Sequence, residues 1–188
     1  WRAKLRDTDT GREIECTARM IVNAAGPFID GLNQDLGLKT KHRVVYSKGI
    51  HLIVDRLTPH ERVLAFFDDT QRLFYVIPMG RRSVIGTTDT RVDTPFTEVD
   101  DDDRTFLLDQ INARLDLPAP LTVDDVIAER CGVRPLVVTD DKAHATARGR
   151  DWLQLSRKHA VATDQQTAAV SVYGGKLTDC LNVGREIV

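Results

Sequence analysis

The sequence lacks the short motifs that mark most cofactor and catalytic sites. It has no G-x-G-x-x-G, no G-x-x-x-x-G-K-[ST], no H-E-x-x-H and no G-x-S-x-G. It is also poor in cysteine, because Cys16, Cys131 and Cys180 are far apart and none has C-x-x-C spacing. This pattern argues against a disulfide framework and against a zinc site, so we expect no metal and a reducing compartment.

Long apolar runs and basic runs are missing as well. No apolar stretch approaches the roughly 20 residues that a membrane span needs. The 26 basic and 28 acidic residues give a net charge of -2 without a basic cluster, which argues against nucleic acid as a partner. The 188 residues are 41% hydrophobic, which is enough for a folded core. Because the chain starts at Trp1 without methionine and ends inside a helical pattern, we expect a fragment of a longer protein.

The first quarter of the chain predicts strands followed by a helix. Residues 1–8 and Glu13–Ala18 predict two strands joined by a turn. The apolar stretch Arg19–Asn23 predicts a third strand, which ends at Ala24–Pro27. From Phe28 the apolar residues fall at helical spacing, and the proline suits the first turn of that helix.

A change to period-two hydrophobicity at Gly49 predicts a sheet. Ile50, Leu52 and Val54 would share one face, and His51 would lie on the other face. Four short strands without intervening helices favour an antiparallel meander with helices covering one face. Their predicted ranges are Gly49–Val54, Val63–Phe67, Leu73–Pro78 and Ser83–Thr88.

The second half alternates helical and polar segments. The acidic run Glu98–Asp103 predicts the start of an amphipathic helix, since carboxylates at a helix N-terminus are stabilising. Thr122 can cap a short helix, and Gly184 would allow close packing of a last helix. The remaining predictions are a surface connection over Asp140–Asp151, strands over Trp152–Ser156 and Ala169–Tyr173, and a helix from Lys176.

Four polar positions at strand ends could carry chemistry, although each also has a plain structural explanation. His51 could be a base or a hydrogen-bonded structural histidine. Arg134, held extended by the following proline, could clamp an anion or form an ion pair. Thr87, Thr88 and Asp89 could simply end a strand and form a turn. The glycine pair Gly174–Gly175 before Lys176 could expose N–H groups to a negative charge, or form an ordinary turn.

The order of these weak signals is more specific than any one of them. The strings are V-N-A-A-G-P, K-G-I-H, G-T-T-D, G-V-R-P-L, S-R-K-H and G-G-K-L-T. Together they span about residues 20 to 188, and in this order the sequence resembles the FAD-dependent glycerol-3-phosphate dehydrogenases. They occupy residues Val22–Pro27, Lys48–His51, Gly86–Asp89, Gly132–Leu136, Ser156–His159 and Gly174–Thr178.

The resemblance implies an α+β flavoprotein of the glycine-oxidase-like class. Its substrate domain, with an antiparallel or mixed sheet and helices on one face, would comprise residues 41–150. Residues 1–40 and 151–188 would be segments of an FAD-binding domain of dinucleotide-binding type. The glycine fingerprint of that domain would lie before Trp1.

The resemblance also implies roles for individual residues. His51 would be the catalytic base, and Arg134 would act in catalysis and in binding the substrate phosphate. Lys176 and Thr88 would help to bind the substrate. The expected FAD contacts are Ala25, Gly26, Gly174, Gly175, Lys176, Leu177 and Thr178.

The implied activity is oxidation of sn-glycerol 3-phosphate to dihydroxyacetone phosphate with electrons passed to a quinone. The enzyme would be cytoplasmic and peripheral to the inner face of the cell membrane, and the fragment alone would be inactive. Three alternatives stay open at this point: a glycerol-3-phosphate oxidase, an amino- or hydroxy-acid oxidase in which Arg134 holds a carboxylate, and a non-catalytic binding module.

Overall fold

The chain folds into two units, seen here in a computed structural model that describes residues 1–68, 71–139 and 158–187. One unit comprises Trp1–Val45 and Pro135–Val188, and the other comprises Tyr46–Arg134. The predicted connection Asp140–Asp151 and the predicted strand Trp152–Ser156 lie outside the described residues. The domain limits expected at residues 40 and 150 stay a prediction.

Short strands predominate in the described residues, and helices are few. The α-helices are α1 (Ile29–Asp35), α2 (Asp101–Asn112) and α3 (Cys180–Ile187). The strands are β1 (Arg2–Arg6), β2 (Glu13–Thr17), β3 (Ile21–Asn23), β4 (His42–Asp55), β5 (Leu64–Phe67), β6 (Leu73–Met79), β7 (Arg82–Gly86), β8 (Thr90–Val92), β9 (Ala128–Thr139), β10 (Ala160–Asp164) and β11 (Ala169–Tyr173).

Two small sheets form the unit that contains both ends of the chain. Strands β1 and β2 make an exposed antiparallel hairpin, as the sequence predicts. The second sheet has the order β10-β11-β3, in which β11 is antiparallel to β10 and parallel to β3. All five residues of β11 are buried, so this strand is the centre of its sheet.

The predicted helix after β3 is confirmed in a shorter form. A 3-10 turn over Gly26–Phe28 has Pro27 in its first positions and leads directly into α1. Ile29 is fully buried in this helix, and the chain leaves it after Asp35. The helix therefore follows β3 closely and packs beside the β10-β11-β3 sheet.

The sheet of the Tyr46–Arg134 unit differs from a simple four-strand meander. Strands β5, β6 and β7 form an antiparallel meander, and the turn at Gly80 is confirmed. However, β4 pairs with β7, and β8 and β9 pair with β4 in turn. Strand β4 thus lies beside the last strand of the meander, and its sequence neighbour β5 lies at the far edge.

One face of this sheet carries the hydrophobic core, as the period-two pattern predicts. Ile50, Leu52 and Val54 are fully buried and pack in clusters with Leu107 and Ile111 of α2. Burying a side chain of this size contributes about 1.5–3 kcal/mol relative to leaving it exposed. The opposite face of β4 is thereby left to His51 and its neighbours.

The acidic run is confirmed as a helix start, and it has a second role that the sequence did not indicate. The side chain of Asp100 accepts a hydrogen bond from the backbone N–H of Asp103 at 2.9 Å, and Asp103 completes the capping box. The ammonium of Lys48 lies 2.5 Å from Asp100 and 2.6 Å from Asp103. Because Lys48 and Asp103 are both about 4% exposed, this ion pair is buried inside the unit.

Candidate functional site

His51 lies over a glycine on the face of β4 opposite Ile50, Leu52 and Val54. Its register partner on β7 is Gly86, and a Cβ added to Gly86 would lie 2.4 Å from Cδ2 of the imidazole. The ring therefore occupies the space that any larger residue would fill. Burial lowers the pKa of His51, and the positive charges of Arg134 and Arg130 lower it further. The neutral imidazole is favoured, which is the form that can accept a proton.

Arg134 lies against a second glycine in the same manner. A Cβ added to Gly49 would lie 2.2 Å from both terminal nitrogens of the guanidinium. One of these nitrogens donates to Oγ1 of Thr87 at 2.7 Å, and the other donates to the carbonyl of Thr88 at 3.3 Å. The extended backbone expected before Pro135 is confirmed, because this position belongs to β9. The guanidinium is thus fixed by contacts on several sides while 28% of the side chain stays exposed.

Thr88 connects these two positions through the backbone. It is 5% exposed, and its hydroxyl accepts the backbone N–H of Ile50 at 3.1 Å. Its carbonyl is the acceptor for Arg134. The structure therefore gives Thr88 a part in holding β4 and Arg134, and its role in substrate binding stays a prediction.

Asp89, which the sequence singled out together with Thr87 and Thr88 but gave no specific role, lies next to Arg134 in the structure. Its carboxylate is hydrogen-bonded by the hydroxyl of Ser47 and ion-paired with Arg72, and it lies 3.6 Å from the guanidinium of Arg134. It also lines a cavity of about 390 Å³ together with Thr88 and Phe106. Asp89 is the last residue of the G-T-T-D string, so the sequence motif already contained it.

The expected cofactor contacts meet at one edge of the β10-β11-β3 sheet. Strands β3 and β11 are parallel neighbours, with Asn23 opposite Ser171. Ala25–Gly26 follows the carboxyl end of β3, and Gly174–Gly175 follows the carboxyl end of β11. Ligands of α/β sheets bind at this edge of parallel strands, and the structure brings the two glycine-containing turns there.

The glycine pair has backbone conformations that explain its composition. Gly174 and Gly175 have φ angles of +62° and +87°, which residues with a Cβ rarely adopt. A Cβ on Gly174 would also lie 2.6 Å from a methyl carbon of Val137. The residues after the pair are exposed, and Leu177 reaches 90% exposure. Gly174 therefore packs against its neighbours, whereas Gly175–Thr178 is exposed.

The helix after the glycine pair starts later than the sequence predicts. Lys176 precedes a 3-10 turn over Leu177–Asp179, and α3 begins only at Cys180. The first backbone N–H groups beyond Lys176 therefore belong to this turn. The close packing expected at Gly184 is wrong for the described part of the chain, because a Cβ there would meet nothing within 4 Å.

A buried network of hydrogen bonds lies beside this edge of the sheet and is centred on one asparagine. Asn33 of α1 accepts hydrogen bonds from Asn23 at 2.8 Å and Ser171 at 2.9 Å, and it donates to the hydroxyl of Tyr173 at 2.8 Å. The hydroxyls of Tyr173 and Thr40 are 2.5 Å apart. The network ties α1 to β3 and β11, and a sequence pattern of apolar residues gives no indication of it.

The structure thus gathers the candidate residues into two sets. His51, Thr88 and Arg134 lie in the Tyr46–Arg134 unit, whereas Ala25, Gly26 and Gly174–Thr178 lie in the other unit. Within residues 1–68, 71–139 and 158–187, no group of three His, Cys, Asp or Glu residues is arranged to hold a metal ion. Nor does this part of the chain contain a helix long and apolar enough to cross a membrane.

Comparison with known proteins places the chain in a family. Residues 1–170 match the model of the family described as FAD dependent oxidoreductase, which is most of the chain. The protein therefore belongs to the FAD-dependent oxidoreductase family, as the sequence motifs indicated. Its α+β fold class is confirmed as well.

Within that family the similar proteins are glycerol-3-phosphate dehydrogenases. The chain is 29% identical to the aerobic glycerol-3-phosphate dehydrogenase of Staphylococcus haemolyticus over 98% of its length and 32% of the relative's. It is 30% identical to the mitochondrial glycerol-3-phosphate dehydrogenase of Arabidopsis thaliana, covering 99% of the chain and 28% of the relative. The chain thus spans about a third of the length of these relatives.

Two solved structures of other proteins have a similar fold. The glycerol-3-phosphate dehydrogenase of Bacillus halodurans, solved in complex with FAD, superposes with a TM-score of 0.76 at 26% identity, over 99% of this chain and 35% of that one. Glycine oxidase from Geobacillus kaustophilus matches with a TM-score of 0.54 at 20% identity over 89% of this chain and 39% of that one. The second likeness shows the fold alone.

Proposed function

We propose that this chain is part of an FAD-dependent glycerol-3-phosphate dehydrogenase that oxidises sn-glycerol 3-phosphate to dihydroxyacetone phosphate. The observation that carries the proposal is that His51 and Arg134 each lie over a glycine in the same unit, near enough for the charge of Arg134 to lower the pKa of His51. A proton acceptor beside a fixed guanidinium suits a secondary alcohol that bears a phosphate. The relatives named for this activity support the same substrate.

Alcohol oxidation requires a base for the hydroxyl proton while hydride leaves the adjacent carbon. His51 fits the role of base, because its lowered pKa keeps the imidazole able to accept that proton. Bound FAD would supply the hydride acceptor. Arg134 would bind the phosphate dianion or polarise the developing carbonyl, and a guanidinium is suited to either task.

The residues at the strand edge fit the cofactor. FAD carries negative charge on its pyrophosphate and, when reduced, on its ring system. Lys176 adds a full positive charge beside the exposed segment Gly175–Thr178, and the neighbouring turn at Ala25–Gly26 lies at the same edge. We infer that Ala25, Gly26, Gly174, Gly175, Lys176, Leu177 and Thr178 hold the cofactor, and that Lys176 also reaches the substrate together with Thr88.

The finer parts of the proposal rest on the family resemblance. Residues 1–40 and 151–188 would belong to the FAD-binding domain, and residues 41–150 would form the substrate domain. Electrons would pass to a quinone, with the enzyme in the cytoplasm and attached to the inner face of the cell membrane. The 188-residue chain alone would be inactive.

Anaerobic reduction of the bound flavin in the full-length protein tests the proposal. Glycerol 3-phosphate should bleach the flavin absorbance, whereas sarcosine and glycine should not. Addition of a soluble quinone analogue or of oxygen then identifies the electron acceptor. A flavin that is reduced by an amino acid, or a protein without flavin, would contradict the proposed function.

Two variants with matched controls test the residue roles. His51→Gln and Arg134→Gln should each lower kcat/KM at least tenfold, because a hydrogen bond to a charged group is worth about 1.5–3 kcal/mol. His60→Gln and Arg81→Gln should leave it unchanged, since both residues are exposed and lie outside the cluster. Equal activity in His51→Gln and His60→Gln would refute the assignment of the base.

A further inference from the structure

His159 lies between two carboxylates. Its Nδ1 is 2.5 Å from Oδ2 of Asp179, and its Nε2 is 2.8 Å from Oε2 of Glu186. The histidine immediately precedes β10, whereas Asp179 ends the 3-10 turn and Glu186 is near the end of α3. Its side chain is 16% exposed. One imidazole therefore joins the sheet to both ends of the helical segment that follows the glycine pair.

The contacts require a charged histidine. A carboxylate can only accept hydrogen bonds, so both ring nitrogens of His159 must carry protons. The hydrogen bonds that the ring donates to Glu186 and to Asp179 raise the pKa of His159. The charge of Lys176 acts on Asp179, whose pKa is lowered chiefly by Asn182 and His159. The groups that contact the ring from the helical segment are thus both acidic.

Among residues 1–68, 71–139 and 158–187, the charged groups that shift the pKa of the ring are Glu186 and Asp179. The strand paired with β10 carries the hydroxyl of Tyr173 as its titratable group, and that hydroxyl is hydrogen-bonded to Asn33 and Thr40. Lys158 precedes the histidine in the chain. The charge balance at His159 is therefore set by the two carboxylates.

The histidine also lies close to Gly175. A Cβ added to Gly175 would lie 3.3 Å from the Cβ of His159 and 3.9 Å from a methyl carbon of Val183 in α3. Gly175 is exposed, and on its protein side it lies next to the residue before β10 and to the helix. Any movement of the helix away from His159 would loosen the position of Gly175 and of Lys176 after it.

We propose that His159 is a positioning residue whose imidazolium clips the Leu177–Ile187 segment to β10 and so fixes the Gly174–Lys176 turn in its FAD-binding position. The inference rests on the proposed function, because that function assigns this turn to the cofactor. Loss of the ring proton removes one of the two hydrogen bonds. The turn then loses part of its support, and FAD is held less tightly.

The direction of the pH dependence follows from the charge. A histidine with a raised pKa in the folded state stabilises that state fully below the unfolded value of about 6.5. This contribution disappears as the pH rises through the folded-state pKa. FAD retention should therefore decrease from neutral toward alkaline pH. An enzyme without the His159 imidazolium should lack this decrease.

The test measures the rate of FAD release in the full-length holoenzyme, followed by flavin fluorescence, as the pH is raised from acidic to alkaline. Wild type should release FAD about fivefold faster at the alkaline end, as expected for loss of a partly exposed charge pair. His159→Gln should release it at the fast rate at every pH. His60→Gln changes an exposed histidine that contacts neither Asp179 nor Glu186, so it should behave like wild type.

A second variant and a second measurement keep the outcomes separate. Glu186→Gln retains an acceptor but removes a charge, so it should move the pH midpoint of FAD release downward. The melting temperature of the apoprotein over the same pH range reports the clip without any cofactor. A wild type that binds no FAD would contradict the proposed function, whereas an FAD-binding His159→Gln with the release profile of wild type would overturn the clip. A variant that alters only the melting profile would overturn the positioning of the turn.

Discussion

Replacement of Gly49 by alanine tests whether the position of Arg134 matters, without changing the arginine itself. The added methyl group would lie 2.2 Å from both terminal nitrogens of the guanidinium. Ordinary van der Waals contact begins near 3.4 Å, so those atoms must move by about 1.2 Å. Because the guanidinium is the far end of a flexible side chain, it can move at little cost to folding.

The displacement has a calculable effect on function. Arg134 donates a hydrogen bond to Thr87 at 2.7 Å. A shift of this size breaks that hydrogen bond or changes its donor–acceptor angle. A charge-assisted hydrogen bond is worth about 1.5–3 kcal/mol, and each 1.36 kcal/mol corresponds to a factor of ten in rate. We therefore expect Gly49→Ala to lower kcat/KM for glycerol 3-phosphate by roughly 10- to 150-fold.

Steady-state kinetics of the full-length enzyme, with urea unfolding of the same samples, provides the measurement. Gly132→Ala is the matched control, because Gly132 belongs to the same strand as Arg134 and an added Cβ would meet nothing within 4 Å. The two variants should unfold at similar urea concentrations and differ in kcat/KM. If Gly49→Ala were as active as Gly132→Ala, the fixed guanidinium would not be needed for the reaction.

Three further changes test other parts of the structure. Lys48→Met should lower the free energy of unfolding by about 3–5 kcal/mol because it leaves Asp103 charged and buried, and adding Asp103→Asn should recover part of the loss in urea titrations. Asn33→Leu removes three buried hydrogen bonds, so thermal and urea unfolding should show a loss of about 2 kcal/mol or more. Arg134→Gln removes a charge that lowers the pKa of His51, and the acidic limb of kcat/KM against pH should therefore move to higher pH. Retention of the wild-type value in any of these measurements would contradict the corresponding contact.

Hydrophobic periodicity was sufficient for the strands whose burial comes from apolar residues. The alternation around Ile50, Leu52 and Val54 correctly separated the core face from the face of His51. The buried strand Ala169–Tyr173 was also predicted, and so were the two strands at the start of the chain, although these are exposed. In each case the order of apolar and polar side chains along the strand was enough to predict it.

The pattern was insufficient where polar residues are buried by pairing. Strand β4 begins at His42, seven residues before the predicted start, because Ser47 and Lys48 are buried and satisfied by Asp89 and by the acidic helix start. Strand β9 was not predicted at all, since its first five residues are exposed and partly charged. A count of apolar residues excludes such segments although their hydrogen bonds make them regular.

The same limitation applies to the site. His51 and Arg134 could be selected from the sequence as candidates, because an imidazole can accept a proton and a guanidinium can bind an anion. The glycines beneath them could not be interpreted, because neither Gly49 nor Gly86 has a positive φ and the reason for each glycine is the side chain that lies above it. Their presence in the K-G-I-H and G-T-T-D strings is the trace that they leave in the sequence.

A glycine beneath a long polar side chain has a physical advantage on a sheet. Arginine has many rotamers, and fixing one of them costs conformational entropy of about 2 kcal/mol. On β9 much of this cost is met during folding, because Thr87 and Thr88 bind the guanidinium against the bare backbone of Gly49. Asp89 adds a negative charge that keeps Arg134 and Arg72 from repelling one another. The cation is therefore placed before any substrate arrives, and substrate binding need not supply the ordering.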